Sequence, residues 1–303
     1  MNHYEAFALT IASALPLPEL AACSERKPDV RIGFAMIADE DRHSGLAQVF
    51  LSIPGIARFL IRNGTEVIIE ADDKASEADI RLFVLGSAMG AILQQRGQLV
   101  LHGNAVEIDQ QCVTFVGPSG SGKSTLAFAF QSQGFRILAD DVCAVSLTDP
   151  LHPRVVPSFA QIKLWEDSAQ ALGESTLTKQ RIHNRFNKFA FPSLSHFAPL
   201  PLPLSRVYVL NPCDKPGFSV ETLMGHHKFI ALHGNTYRPQ FLCTSRQKEE
   251  HLAQCALVAK SVTVKRISRP KEPFLIRELT QFLLQDIQIQ PRSVMHEADY
   301  QVQ

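Results

Sequence analysis

The sequence has no net charge: 30 Lys and Arg offset 30 Asp and Glu over 303 residues, and the isoelectric point lies near 7.2. That balance excludes the basic stripe of a typical nucleic-acid binder. No apolar run reaches the ~20 residues that a membrane-spanning helix requires. The longest charge-free apolar stretches, 6–18 and 82–93, are shorter, and the first contains Pro16 and Pro18 without the basic start of a signal peptide. No membrane partner is therefore expected, and the expected location is the cytoplasm. Six cysteines are scattered with no CxxC pair, so neither a zinc site nor a disulfide framework is expected. Internal repeats and low-complexity blocks are absent. What is present is a globular composition, 45% hydrophobic and 20% charged, which excludes a mostly disordered chain. The length suggests about two domains.

The first part of the chain reads as strands and turns. Asn63-Gly64 separates two apolar-rich runs, 57–62 and 65–70. Asn-Gly supplies the positive φ angles of a type I′ turn, so a β-hairpin is expected. Ser76-Glu77-Ala78-Asp79 has the spacing of a helix start. Ile80, Phe83, Val84, Ala88, Ala91 and Ile92 follow at helical period, and Gly97 closes the end. A domain junction is placed near residue 95. This gives a strand-rich N-terminal domain over 1–95, a catalytic domain over 96–288 and a polar tail over 289–303. Runs 99–108 and 112–116 read as a tight antiparallel pair, 122–133 as a helix and 136–139 as a short strand. Further helices are expected over 222–232, 245–259 and 273–287.

The most specific motif is Gly117-Pro118-Ser119-Gly120-Ser121-Gly122-Lys123-Ser124, which fits G-x-x-x-x-G-K-[ST] without a mismatch. Its context, an apolar strand before and an amphipathic helix after, also fits. Glycines let backbone N–H groups curl around phosphate oxygens, and the helix adds its positive end. Residues 117–125, with Thr125 opening the helix, are therefore the candidate nucleotide-binding set. Lys123 supplies a point charge for the β- and γ-phosphates, and Ser124 supplies a hydroxyl for Mg²⁺. Asp140-Asp141 follows one helix and one strand downstream, at the carboxyl end of a strand where open α/β sheets bind ligands. One carboxylate suits a metal; the other suits the proton of an incoming hydroxyl. His102 lies on the strand hairpinned to the motif strand, with Gly103 beside it.

Leu101-His102-Gly103, residues 117–124, Gly134 and Leu138-Ala139-Asp140-Asp141 together resemble the catalytic core of HPr kinase/phosphorylase. That superfamily in turn resembles ATP-dependent phosphoenolpyruvate carboxykinases in its core. The resemblance is dense over 99–145. Segments 4–20, 86–97 and 157–165 are similar to a divergent branch whose members occur beside lasso-peptide genes and in some cases phosphorylate the precursor's C-terminal serine. The resemblance implies an α/β (α+β) fold in which a P-loop kinase core of the HPr kinase/carboxykinase type follows a smaller β-rich N-terminal domain. It implies an ATP- and Mg²⁺-dependent serine kinase, with a peptide or small protein bearing a serine as partner. It assigns Asp140 as proton acceptor, Lys123 and His102 as further catalytic residues, and Ser124 and Asp141 to the metal. The Glu-Ile/Val-Arg-Gly-x-Gly stretch of the bifunctional enzymes, tied to the phosphorylase reaction, is missing after Asp141, a departure that leaves phosphorolysis open. An HPr-like carrier as acceptor and a non-catalytic nucleotide-binding module are the alternatives. The oligomeric state is left open, with a homo-oligomer allowed.

Weaker features complete the reading. The segment 157–165, with Lys163 and the only tryptophan, Trp165, reads either as substrate-facing with Lys163 near phosphate or as a core strand with a surface lysine. The basic stretch 179–188 suits an acidic tail or a C-terminal carboxylate. His226 and His227 are expected on different helix faces. Arg238 is a candidate charge stabiliser over the γ-phosphate. The alternating stretch 260–271 reads as a solvated strand.

Overall fold

The computed structural model describes residues 1–43, 45, 48–183, 186–272 and 275–287. The expected polar tail lies outside the described residues. The chain builds a mixed α/β fold with three sheets.

The first sheet has seven strands in the order Ala21–Ala22, Asn2–Ala6, Leu9–Ser13, Val30–Phe34, Glu66–Ala71, Ala57–Arg62, Gln48–Ile53. Asn63 and Gly64 take φ of 57° and 63° between the last-formed hairpin strands, the left-handed pair that a two-residue turn requires. The turn is clamped from outside: the Gly64 N–H donates to Gln95 Oε1 at 2.8 Å, and Arg96 Nη1 donates to the Gly64 carbonyl at 3.1 Å.

The helix that supplies Gln95 begins where Ser76 caps it, its hydroxyl accepting the Asp79 N–H at 3.1 Å. It runs as Glu77–Phe83, a π-helical turn Val84–Ala88, and Met89–Gln95. Gly97, at φ 73°, ends it with a hydrogen bond to Gln94. Its apolar face joins the first sheet to Val100, Val142, Ala144, Val156, Phe159 and Tyr237 in one buried cluster, so this core continues past residue 95.

The second sheet has eight strands. Its path runs Arg136–Ala139, Leu99–Ile108, Val142–Ser146, Arg154–Val156, Leu202–Cys213, Thr263–Pro270, Ser219–Thr222, and Gln111–Val116 bridges Leu99–Ile108 to Leu202–Cys213. Gln111–Val116, Leu202–Cys213 and Thr263–Pro270 are mutually parallel neighbours, so their carboxyl ends point the same way, toward the helix Lys123–Gln131. Phe115 stacks between Phe130 of that helix and Tyr208, with ring centroids 5.4 and 5.6 Å apart. Truncating so buried a ring to Ala costs roughly 3–5 kcal/mol, so this stack fixes the helix on the strand it follows.

The third sheet is small and antiparallel, in the order Gln161–Trp165, Phe186–Pro192, Arg181–His183. Lys163 pairs with Ala190 and Trp165 with Lys188. Side chains alternate along a strand. Ile162, Leu164, Phe189 and Phe191 therefore enter the core beneath the helix Lys123–Gln131, while Lys163, Trp165 and Lys188 share the other face.

Three expectations change. Ser219–Thr222 is a strand, and the helix expected from 222 begins only at His226, because Gly225 at φ 51° breaks the run. Thr263–Pro270 is an inner strand flanked on both sides, with Val264, Ile267 and Arg269 buried. The last helix spans Ile276–Ile287; residues 273 and 274 of the expected start lie outside the described residues.

Candidate functional site

Residues 117–122 form a loop between the strand Gln111–Val116 and the helix Lys123–Gln131. Gly117, Gly120 and Gly122 have φ of 150°, 78° and 90°. A Cβ at Gly117 would lie 2.8 Å from the Leu210 carbonyl oxygen, and one at Gly122 would lie 3.3 Å from Arg269 Nη2. All three glycines are required by backbone angle, and Gly117 by space as well. Lys123 Nζ donates to the Gly117 and Pro118 carbonyls at 2.8 and 3.0 Å, tying the loop to its helix. Asn104 Nδ2 donates to the Lys123 carbonyl. Arg269 braces the far side, with Nε and Nη2 donating to the Ser121 carbonyl at 3.2 and 2.9 Å. Among the described residues Ser121 Oγ, buried inside the loop, has no hydrogen-bond partner. A loop with an orphaned hydroxyl, glycine-only angles and a helix N-terminus suits an anion.

A cavity of about 530 Å³ opens on this loop. Ser119, Gly120, Gly122, Lys123, Ser124 and Thr125 line it from the loop and helix. His102, Asp140 and Asp141 line it from strand ends, and Lys163, Trp165 and Lys188 from the third sheet. Asp167, Ser168 and Ala171 of the short helix Glu166–Ala171 and Arg269, Lys271 and Glu272 complete it. Of the expected nucleotide set, Gly117 and Pro118 instead line a second cavity of about 350 Å³, which shares His102. Ser121 lines neither.

The two aspartates differ sharply. Asp140 is only 5% exposed. Its Oδ1 accepts the Ser124 hydroxyl at 2.8 Å and its Oδ2 accepts the Lys163 N–H at 2.9 Å. Burial pushes its pKa up, opposed by the Lys188 charge and these hydrogen bonds. Asp141 has φ 78°, a left-handed angle costly for a residue with a side chain. The kink turns the Asp141 side chain, 32% exposed, toward His102, whose Nε2 lies 3.5 Å from Asp141 Oδ1. Burial, then the Lys123 charge, lowers the His102 pKa below its ordinary value of 6.5, against the pull of Asp141. Lys123 is also lowered by burial, against the pull of Asp141 and Asp140.

His102 is backed by Tyr237, edge-on with centroids 5.9 Å apart. Tyr237 in turn occupies the dents left by Gly86 and Gly90: a Cβ at Gly90 would sit 2.6 Å from its ring. Gln94 Nε2 donates to the Tyr237 carbonyl at 2.6 Å, and the Tyr237 N–H donates to Val100.

Ser124, Asp140 and Asp141 supply one hydroxyl and two carboxylates at the foot of the loop. No group of three or more His, Cys, Asp or Glu placed to hold a metal occurs among the described residues. A donor set this sparse fits Mg²⁺, which keeps waters and takes one or two carboxylates plus phosphate oxygens. The His226 and His227 rings lie 4.0 Å apart rather than on separate faces, because they open the helix directly after Gly225. Arg238, at φ 42°, lays its guanidinium against the Tyr237 and Phe241 rings at 5.7 and 5.8 Å. It does not line the cavity, since those apolar faces hold it. Within the basic stretch 179–188, Lys179 and Arg181 sit over Phe191 and Phe189, and Lys188 lines the cavity. Arg269 was missed. Its signal is its place at the carboxyl end of a strand parallel to the motif strand, a place that only the topology discloses.

No family model matches the chain, and no curated protein matches it. Among solved structures, the HPr(Ser) kinase/phosphatase from Coxiella burnetii matches at 14% identity and a TM-score of 0.33, covering 62% of this chain and 95% of that chain. Among the described residues no helix is long and apolar enough to cross a membrane, and no disulfide joins any two of the cysteines.

Proposed function

We propose that the chain is an ATP-dependent kinase of a serine hydroxyl. The observation that carries this reading is the Ser124–Asp140 hydrogen bond at the foot of the glycine loop, with Asp141 and His102 facing the same cavity. Loop amides and Lys123 hold the triphosphate. Ser124 and Asp140 would hold Mg²⁺, which would supply charge neutralisation during transfer.

This division reverses the roles that the sequence resemblance implies. Asp140 already has both oxygens engaged, one of them by the metal-side hydroxyl, and is nearly inaccessible. Asp141 is open to the cavity, with His102 Nε2 3.5 Å from its Oδ1. Asp141 is therefore the proton acceptor: the serine oxygen attacks the γ-phosphorus, its proton passes to the Asp141 carboxylate, and the bond to ADP breaks. A general base of this kind is worth ~10²–10⁴ in rate, and the remaining catalysis is positioning and charge.

For the acceptor we take a peptide serine, first the C-terminal serine of a lasso precursor, on the strength of the sequence resemblance alone. The test is incubation with γ-labelled ATP, Mg²⁺ and short peptides ending in serine, read by mass spectrometry for added phosphate on the last residue. Label on a folded carrier such as HPr instead would reassign the acceptor. Nucleotide binding without transfer to any serine would remove the kinase reading and leave a nucleotide-binding module.

A further inference from the structure

The cavity holds a cation that the roles above do not use. Lys188 lies on the strand Phe186–Pro192, in register with Trp165, and its ammonium sits over the Trp165 ring at 5.9 Å. Both residues line the cavity with the glycine loop and the aspartates. Among the described residues Lys188 has no carboxylate within ion-pair distance, whereas neighbouring Lys271 pairs with Asp214 at 3.0 Å. Lys188 lines the same cavity as Lys123, Asp140 and His102, so a phosphoryl group passing from the glycine loop to an acceptor in that cavity passes an uncommitted cation. Arg238, the arginine proposed for that task from sequence, is held away on aromatic faces.

We infer that Lys188 is a catalytic residue of phosphoryl transfer, its ammonium stabilising the γ-phosphoryl oxygens as the bond to ADP breaks and the bond to the acceptor oxygen forms. The inference rests on the proposed transferase reading of the same cavity. The third sheet gives Lys188 a rigid base: Phe189 and Phe191 anchor the strand in the core, and the Trp165 ring holds the lysine stem from the side. Charge delivered at that point without reorganisation is worth most in the transition state and little in the ground state.

The test uses the full chain and does not depend on knowing the acceptor. ADP with Mg²⁺ and aluminium fluoride mimics the transferring group. Wild type is expected to retain ADP more tightly with aluminium fluoride than without it. Lys188→Met should keep ATP and ADP affinity within about threefold, lose the aluminium fluoride gain, and lower kcat for transfer, or for ATP hydrolysis with water as acceptor, by ~10²–10³. Lys188→Arg should recover part of the loss, because it restores the charge; an unchanged melting temperature for both variants excludes a folding defect. Wild-type turnover in Lys188→Met overturns the assignment. So does a raised acceptor KM with unchanged kcat, which would make Lys188 an acceptor-binding group. If wild type traps ADP with aluminium fluoride yet labels no serine, the serine-kinase reading fails while Lys188 is still tested by trapping. If wild type gains nothing from aluminium fluoride, both fall.

Discussion

One wall of the cavity is backbone and the other is side chain. The glycine loop presents amides and a helix end, with Gly120 and Gly122 at left-handed backbone angles that a side chain rarely adopts. The third sheet presents Lys163, Trp165 and Lys188, three residues that share a face only because Gln161–Trp165 and Phe186–Pro192 pair in one register. A backbone cradle grips whatever carries phosphates and discriminates little. A side-chain wall can be rebuilt residue by residue, so on the proposed kinase reading acceptor choice and charge placement belong there. Asp140 joins the two, accepting from Ser124 on one side and from the Lys163 N–H on the other.

The largest test of this contrast sits between the walls. Asp141→Asn should lower kcat by ~10²–10⁴ with nucleotide affinity unchanged by calorimetry. An Asp140→Asn variant that shows that pattern instead, with Asp141→Asn near wild type, would restore the role that the sequence resemblance implies. On the backbone wall, Gly117→Ala should weaken ATP binding by roughly tenfold or more, since a strained backbone costs of order 1–3 kcal/mol; equal binding would show that the loop is not the cradle. On the side-chain wall, Trp165→Leu should change kcat only a few-fold, the scale of a cation–π contact of ~0.5–1 kcal/mol, with ATP affinity unmoved.

Asp140 also gives a stability prediction. Its folded pKa is raised by burial, so the folded state binds a proton more readily than the unfolded chain. Stability from this group is present below the unfolded pKa and is lost as pH rises through the folded one. Asp140→Asn should therefore raise the melting temperature of the nucleotide-free protein at pH 7 and reduce its advantage in acid. A lower melting temperature at pH 7 would mean that the two hydrogen bonds outweigh the burial cost.

The backbone wall was legible from residue spacing because a phosphate loop is local: one strand, one turn and one helix in a row. So were the Asn63-Gly64 hairpin and the Ser76 cap, for the same reason. Lys188 and Arg269 were not, because each reaches the cavity through strand pairing with a distant segment. Arg269 looked like part of a solvated strand, since its neighbours alternate basic and apolar; the flanking strands turn that pattern into an inner strand with its end at the loop. The carboxylate roles were beyond the sequence as well, because adjacent aspartates differ only once the backbone kinks at Asp141.

Tyr237 draws a consequence from the helix that closes the first sheet. Because its ring fills the hollows at Gly86 and Gly90 and its edge supports His102, the imidazole leans on a buttress anchored ninety-odd residues into the chain. Excising the first sheet and its helix would strip away that buttress, so the half that carries the glycine loop is no detachable cassette.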